Sequence, residues 1–185
     1  MKSQLQITKI LNKGKIQNEL EHERALIAER KLRLLSKEHP EYVKIRKELR
    51  RIIEVYETEN WTNSTKISEE KIKESEIAEL IAEEERLFIQ NRKTLIKTKL
   101  KELNLKQQEL GDLLGHSGKS YISELMNGLS PFSMKDLIVI HRILKIDLTL
   151  LIPTFLSHSD RIKLKHSIEK LNNPKLKLSK NDLIH

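Results

Sequence analysis

The chain has 185 residues, 37% of them apolar and 34% charged, with 5 glycines, 4 prolines and no cysteine. That composition suits one or two small helical domains with long solvated faces, and it excludes disulfides and thiolate metal centres. A formal net charge of +8 points toward a polyanionic partner, of which nucleic acid is the commonest.

The charge is unevenly placed. Residues 61–90 carry 4 basic and 8 acidic side chains, whereas residues 1–60, 91–153 and 154–185 each carry a net +4. An acidic segment therefore separates basic ones, which are expected to meet different partners. No apolar run approaches ~18 residues, and Met1-Lys2 is not followed by an apolar signal core. A cytoplasmic protein without a membrane contact is expected.

In chain order, residues 1–15 show no clear period and are expected to be a flexible N-terminus. Over 16–37, Ile16, Leu20, Ile27 and Leu34 recur near helical spacing. Glutamates come early in this stretch and arginine and lysine late, which complements a helix dipole. Pro40 suits the first turn of the next helix, along which Tyr42, Ile45, Leu49, Ile52 and Tyr56 form a heptad seam. Residues 16–67 are thus expected to be an antiparallel hairpin that needs a partner, because two helices bury little apolar area. Trp61 is expected to anchor the polar connection over 58–67.

Ser68 is a good N-cap, with Glu69 and Glu70 in the first turn of an acidic linking helix over 68–90. Nothing breaks the chain before Asn104, so this helix is free to run into the next domain. Glu83-Glu84-Glu85 reads as a solvated face.

Residues 91–153 hold five short helical patterns. Leu95, Ile96, Leu100 and Leu103 mark the first. The second ends at Gly115, placed for a left-handed cap. His116-Ser117-Gly118 makes the turn, and Lys119 to Asn127 forms the third, stopped by Gly128. Gly111 permits close packing of these two helices. Ser133 caps a fourth helix whose Leu137, Ile138, Ile140, Ile143 and Leu144 are expected to cover the core. A last short helix stops at Pro153.

Two short helices joined by a glycine turn present the second to the major groove. Lys106 and Gln107 open the second helix and are expected on the DNA backbone. Ser117, Lys119 and Ser120 stand at the N-terminus of the third, where N–H groups and the dipole favour phosphate. Tyr121, Ser123, Glu124 and Asn127 complete the candidate DNA-binding set. The reading requires the third helix to lie with its polar side outward, free of the rest of the chain.

No P-loop or Gly-x-Gly-x-x-Gly segment occurs, and the seven histidines lack metal-ligand spacing. Neither catalysis, a cofactor nor a metal is expected. Residues 154–185 are expected to hold a helix over about 159–171 and a mobile tail.

The stretch LKQQELGDLLGHSGKSYISELMNG resembles the XRE (lambda-repressor-like) family, with a turn about one residue longer around Gly118. The resemblance implies an all-α fold in which a five-helix helix-turn-helix domain over 91–153 follows the N-terminal hairpin. IQNELEHERALIAERKLRLL and HPEYVKIRKELRRIIEVYETENW ahead of that domain resemble HigA-type antitoxins. This second resemblance implies neutralisation of a RelE-like, mRNA-cleaving HigB toxin and repression of the protein's own operon. Double-stranded operator DNA, the toxin and a homodimer mate would be the partners, in the bacterial cytoplasm at the nucleoid. Glu19, Glu23, Tyr42, Leu49 and Tyr56 are the candidate toxin contacts. A stand-alone XRE repressor dimerised by its N-terminal helices is the alternative. A structural coiled-coil protein with an idle helix-turn-helix is a third.

Overall fold

The computed structural model describes residues 7–62, 67–153, 158–173 and 175–176. Among the described residues there are helices and no strand. They run α1 (Ile7–Lys13), α2 (Glu19–Leu35), α3 (Tyr42–Trp61), α4 (Glu69–Glu102), α5 (Gln107–Leu114), α6 (Lys119–Asn127), α7 (Met134–Leu144), α8 (Leu148–Leu151) and α9 (His158–Leu171).

Local chemistry sets the starts. Asn18 caps α2 by accepting from the Glu21 N–H at 2.9 Å, while the Glu21 carboxylate accepts from the Gln17 N–H at 3.0 Å. One N–H that the helix leaves orphaned, and one just ahead of the cap, are thereby satisfied. Ser68 caps α4 through the Lys71 N–H, with Glu69 and Glu70 behind it and Lys99 and Lys101 in the last turn. Charges thus oppose the dipole at both ends of a 34-residue helix about 50 Å long.

That helix is shared by two cores. The first contains Ile10, Ala25, Ala28, Leu32, Leu49 and Ile52 of α1–α3, closed by Ala82 and Ile89 of α4. α2 and α3 run antiparallel: Glu19 meets Tyr56 and Trp61, and Glu29 meets Arg46 at 2.7 Å. The hairpin therefore finds the partner it needs within its own chain, as the third side of the bundle is the N-terminal half of α4. Residues 68–90 are not a free link.

The expected flexible N-terminus gives way to α1, whose Ile10 is fully buried; residues 1–6 lie outside the described residues. The solvated Glu83-Glu84-Glu85 face is also corrected. Glu85 is buried against Arg24, whose Nε donates to it at 2.7 Å. Burial pushes the Glu85 carboxyl up from its ordinary value, and Arg24 opposes that rise.

The second core joins Ile96 and Leu100 of α4 to Leu110, Leu114, Ile122, Leu125, Met126, Leu137, Ile140, Leu144 and Leu151. Ile138 and Ile143 were expected there too, but both point outward, since they sit off the Leu137–Ile140–Leu144 stripe. α9 begins and ends close to its expected limits. Most of the expected mobile tail, residues 174 and 177–185, lies outside the described residues.

Candidate nucleic-acid interface

The helix-turn-helix geometry comes from two left-handed caps. Gly115 closes α5 at φ +80° and Gly128 closes α6 at φ +73°. Between them, His116 ties the turn to α7 through Asp136 at 3.1 Å. Asp136 and Ser133 cap α7 reciprocally, at 2.8 and 3.1 Å. Arg92 fixes the start of the domain. Its buried guanidinium lies between the rings of Phe88 and Phe132 and donates to the Leu151 carbonyl at 3.2 Å. Burial draws its pKa down to about 10. No sequence pattern marked Arg92, because two of its partners, Phe132 and Leu151, lie far along the chain.

Ile122, Leu125 and Met126 anchor α6 to the domain core. At the N-terminal end, Ser117, Lys119 and Tyr121 are exposed, with Lys106 exposed and Gln107 half-buried at the start of α5. The Tyr121 ring stands edge-on to His116 at 5.0 Å, which holds it beside the turn. Lys106, Ser117, Lys119 and Tyr121 thus remain accessible to a duplex backbone.

The rest of the helix is not free. The Tyr42 hydroxyl lies 2.9 Å from the Ser120 carbonyl and 3.1 Å from the Glu124 carboxylate. Burial and the Glu124 charge push the Tyr42 phenol up from its ordinary value, so it stays a donor. Glu124 also accepts from Ser130 at 2.7 Å. Lys31 donates to the Asn127 carbonyl at 2.8 Å, and Lys93 to the Asn127 side-chain oxygen at 2.6 Å. Asn127 in turn donates to the Ser123 carbonyl, and Ser123 is buried at 8% exposure.

The requirement of an unobstructed polar side therefore fails for the C-terminal half of α6. Glu124 and Asn127 are engaged by α2, α3 and α4, Ser123 is buried and bonded to Asn127, and Ser120 is half-covered. The hairpin lies across the face opposite the domain core because Leu129, just past α6, is drawn into the first core. Sequence reasoning missed Tyr42, Lys31 and Lys93 as the residues that meet this face. Their spacing carries no sign of it.

The hairpin candidates are also relocated. Glu19 is buried, accepting from the Tyr56 hydroxyl at 2.8 Å and the Trp61 indole at 3.3 Å. Tyr42, Leu49 and Tyr56 are interior as well, covered in this conformation. Glu23 alone of the five keeps partial exposure. Among the described residues no cluster of metal-ligating side chains forms, and no helix is long and apolar enough to cross a membrane.

A helix-turn-helix family model matches residues 96–151. No curated protein and no solved structure matches the chain. The matched span covers the C-terminal part of α4 through α8, the segment built around the two glycine caps. Residues 96–151 are thus a helix-turn-helix domain of the XRE type, in a chain whose described residues form helices and no strand.

Proposed function

We propose that this protein is a sequence-specific, DNA-binding transcriptional regulator whose reading helix works only after the N-terminal hairpin moves off it. The observation that carries this is the pairing of an XRE-type domain with a covered α6. Lys106, Ser117, Lys119 and Tyr121 make the first backbone contacts at the open end. Ser120, Ser123, Glu124 and Asn127 reach bases once Tyr42 and Lys31 withdraw. Two copies bind symmetry-related half-sites, and Met134 and Ile138, exposed one turn apart on α7, offer an apolar surface for pairing.

A gel shift with the chain's own upstream DNA tests this. The expected result is specific binding that weakens steeply with salt, as released counterions require. Equal, weak binding to unrelated duplexes would leave the domain idle and overturn the reading.

The finer reading is a HigA-type antitoxin. It is favoured by the outer face of α4, where Ile77, Leu80 and Leu87 are 46, 68 and 45% exposed. Glu74, Glu76, Glu83 and Glu84 surround them, so the face is both apolar and acidic. Such a surface suits a small basic toxin of the RelE-like kind. Co-expression with a neighbouring small basic reading frame, followed by co-purification, should yield a complex that Leu80→Glu disrupts. A chain that purifies alone in that experiment is a stand-alone repressor.

A further inference from the structure

Between α2 and α4, beside the end of α6, lies a cleft of about 450 Å³. Four cations line it: Arg30 and Lys31 from α2, Lys93 and Lys97 from α4. Among the described residues, none of the four has a carboxylate within salt-bridge distance. Glu38 acts on Lys93, and Glu23 and Glu83 act on Arg30, through space only. A fifth cation, Arg86, is already engaged by Glu83 and Gln90. Like charges held this close in a half-enclosed space repel one another, and the Lys31 ammonium shows it. Burial first, then the charges of Lys93, Arg86 and Arg92, draws its pKa down to about 8.

A cleft needed only for solubility would not carry an apolar wall, yet this one does. Leu34, 61% exposed, forms its open part, over the nearly buried edges of Ile27 and Ile89. Thr94 and Gln90 sit between wall and cations as hydrogen-bonding groups. An apolar surface with a few convergent polar groups is what a small-molecule site requires, and the volume is in the range for one. A ligand here must bring several negative charges at one end and a flat apolar body at the other.

We propose that this cleft binds a ligand of the nucleotide class. Its phosphate groups sit among Arg30, Lys31, Lys93 and Lys97, and its base lies on Leu34. Charge-assisted hydrogen bonds to phosphate replace the mutual repulsion of the lysines. The wall gives a nucleotide an advantage over a bare polyphosphate.

The test is calorimetric titration of the full chain, without DNA and at low salt, using ATP and tripolyphosphate as probes. ATP is expected to bind one per chain, more tightly than tripolyphosphate. Lys31→Met and Lys93→Met should each weaken ATP binding about tenfold. Each also removes a hydrogen bond to Asn127 along with a repelling charge, so the fold is checked by circular dichroism, and Lys97→Met, at a residue that makes no bond to Asn127, should weaken ATP binding likewise. Leu34→Ser, at an exposed position, should weaken ATP and leave tripolyphosphate unchanged. Absence of ATP binding, or ATP binding indifferent to both lysine substitutions, overturns the site. Equal binding of the two probes, unmoved by Leu34→Ser, overturns the nucleotide class. Because no duplex is present, these outcomes are independent of whether the chain regulates transcription.

Discussion

The hydroxyl of Tyr42, at the first residue of α3, sits 2.9 Å from the carbonyl of Ser120 on the reading helix. Residues 78 positions apart are thus joined across the boundary between the two cores. The same hydroxyl touches Glu124, so one phenol occupies both the backbone and a side chain of the face expected to meet bases.

Tyr42→Phe keeps the buried ring and removes the hydroxyl contacts. A hydrogen bond to a charged group such as Glu124 is worth about 1.5–3 kcal/mol net. Loosening the closure by that amount raises the open fraction, and hence operator affinity, at least about tenfold. Fluorescence anisotropy with a labelled operator measures this. Affinity equal to that of the unsubstituted chain would mean the contact does not govern access.

Lys119→Ala combined with Tyr121→Ala should abolish operator binding and leave thermal stability nearly unchanged. Both side chains are exposed at the open end of α6, so little packing is lost. Retained affinity in the double variant would place the backbone contacts elsewhere.

Lys31 predicts a pH dependence. Its pKa is drawn from 10.5 to about 8 in the folded chain, so between those values the unfolded chain holds more protons. Stability should therefore rise with pH from about 8 to about 10.5, as the cost of a charged Lys31 is relieved. Lys93 is lowered in the same direction and adds to the slope. Urea midpoints across this window should climb in the unsubstituted chain and climb less in Lys31→Met. Identical slopes would show that Lys31 is not under strain.

The Arg24–Glu85 pair is buried, and its partners are nearly inaccessible. Glu85→Ala leaves a guanidinium without its counter-charge and should cost about 3–5 kcal/mol. Replacing both partners by apolar residues, as in Arg24→Met with Glu85→Leu, should recover most of that loss. Chemical denaturation of the two variants decides the point: equal destabilisation would mean that shape, not charge, governs this layer.

The two glycine caps separate strain from crowding. Gly115→Ala meets nothing within 4 Å and bears only the left-handed penalty, about 1 kcal/mol. At Gly128 an added Cβ would stand 2.6 Å from Cδ1 of Ile89. Gly128→Ala should therefore lose a further ~1–3 kcal/mol from overpacking. Comparable melting temperatures for the two variants would contradict the close approach of α6 to α4.

The elements were legible because their signals are local. Ser68 and Ser133 cap the helices they precede, Gly115 and Gly128 stop α5 and α6, and the Tyr42–Leu49–Ile52–Tyr56 seam is interior. Capping and periodicity depend on neighbours within a turn or two, which the order of residues specifies directly. Only the tertiary structure decided what each polar face meets. Glu85 looked solvated and is buried on Arg24; Glu124 and Asn127 looked outward and are held by Tyr42, Lys31 and Lys93. The reason is physical. Helical spacing names the side of a rod that is polar, but which other rod comes to lie on it depends on how α4 spans both cores and how Leu129 is drawn into the first.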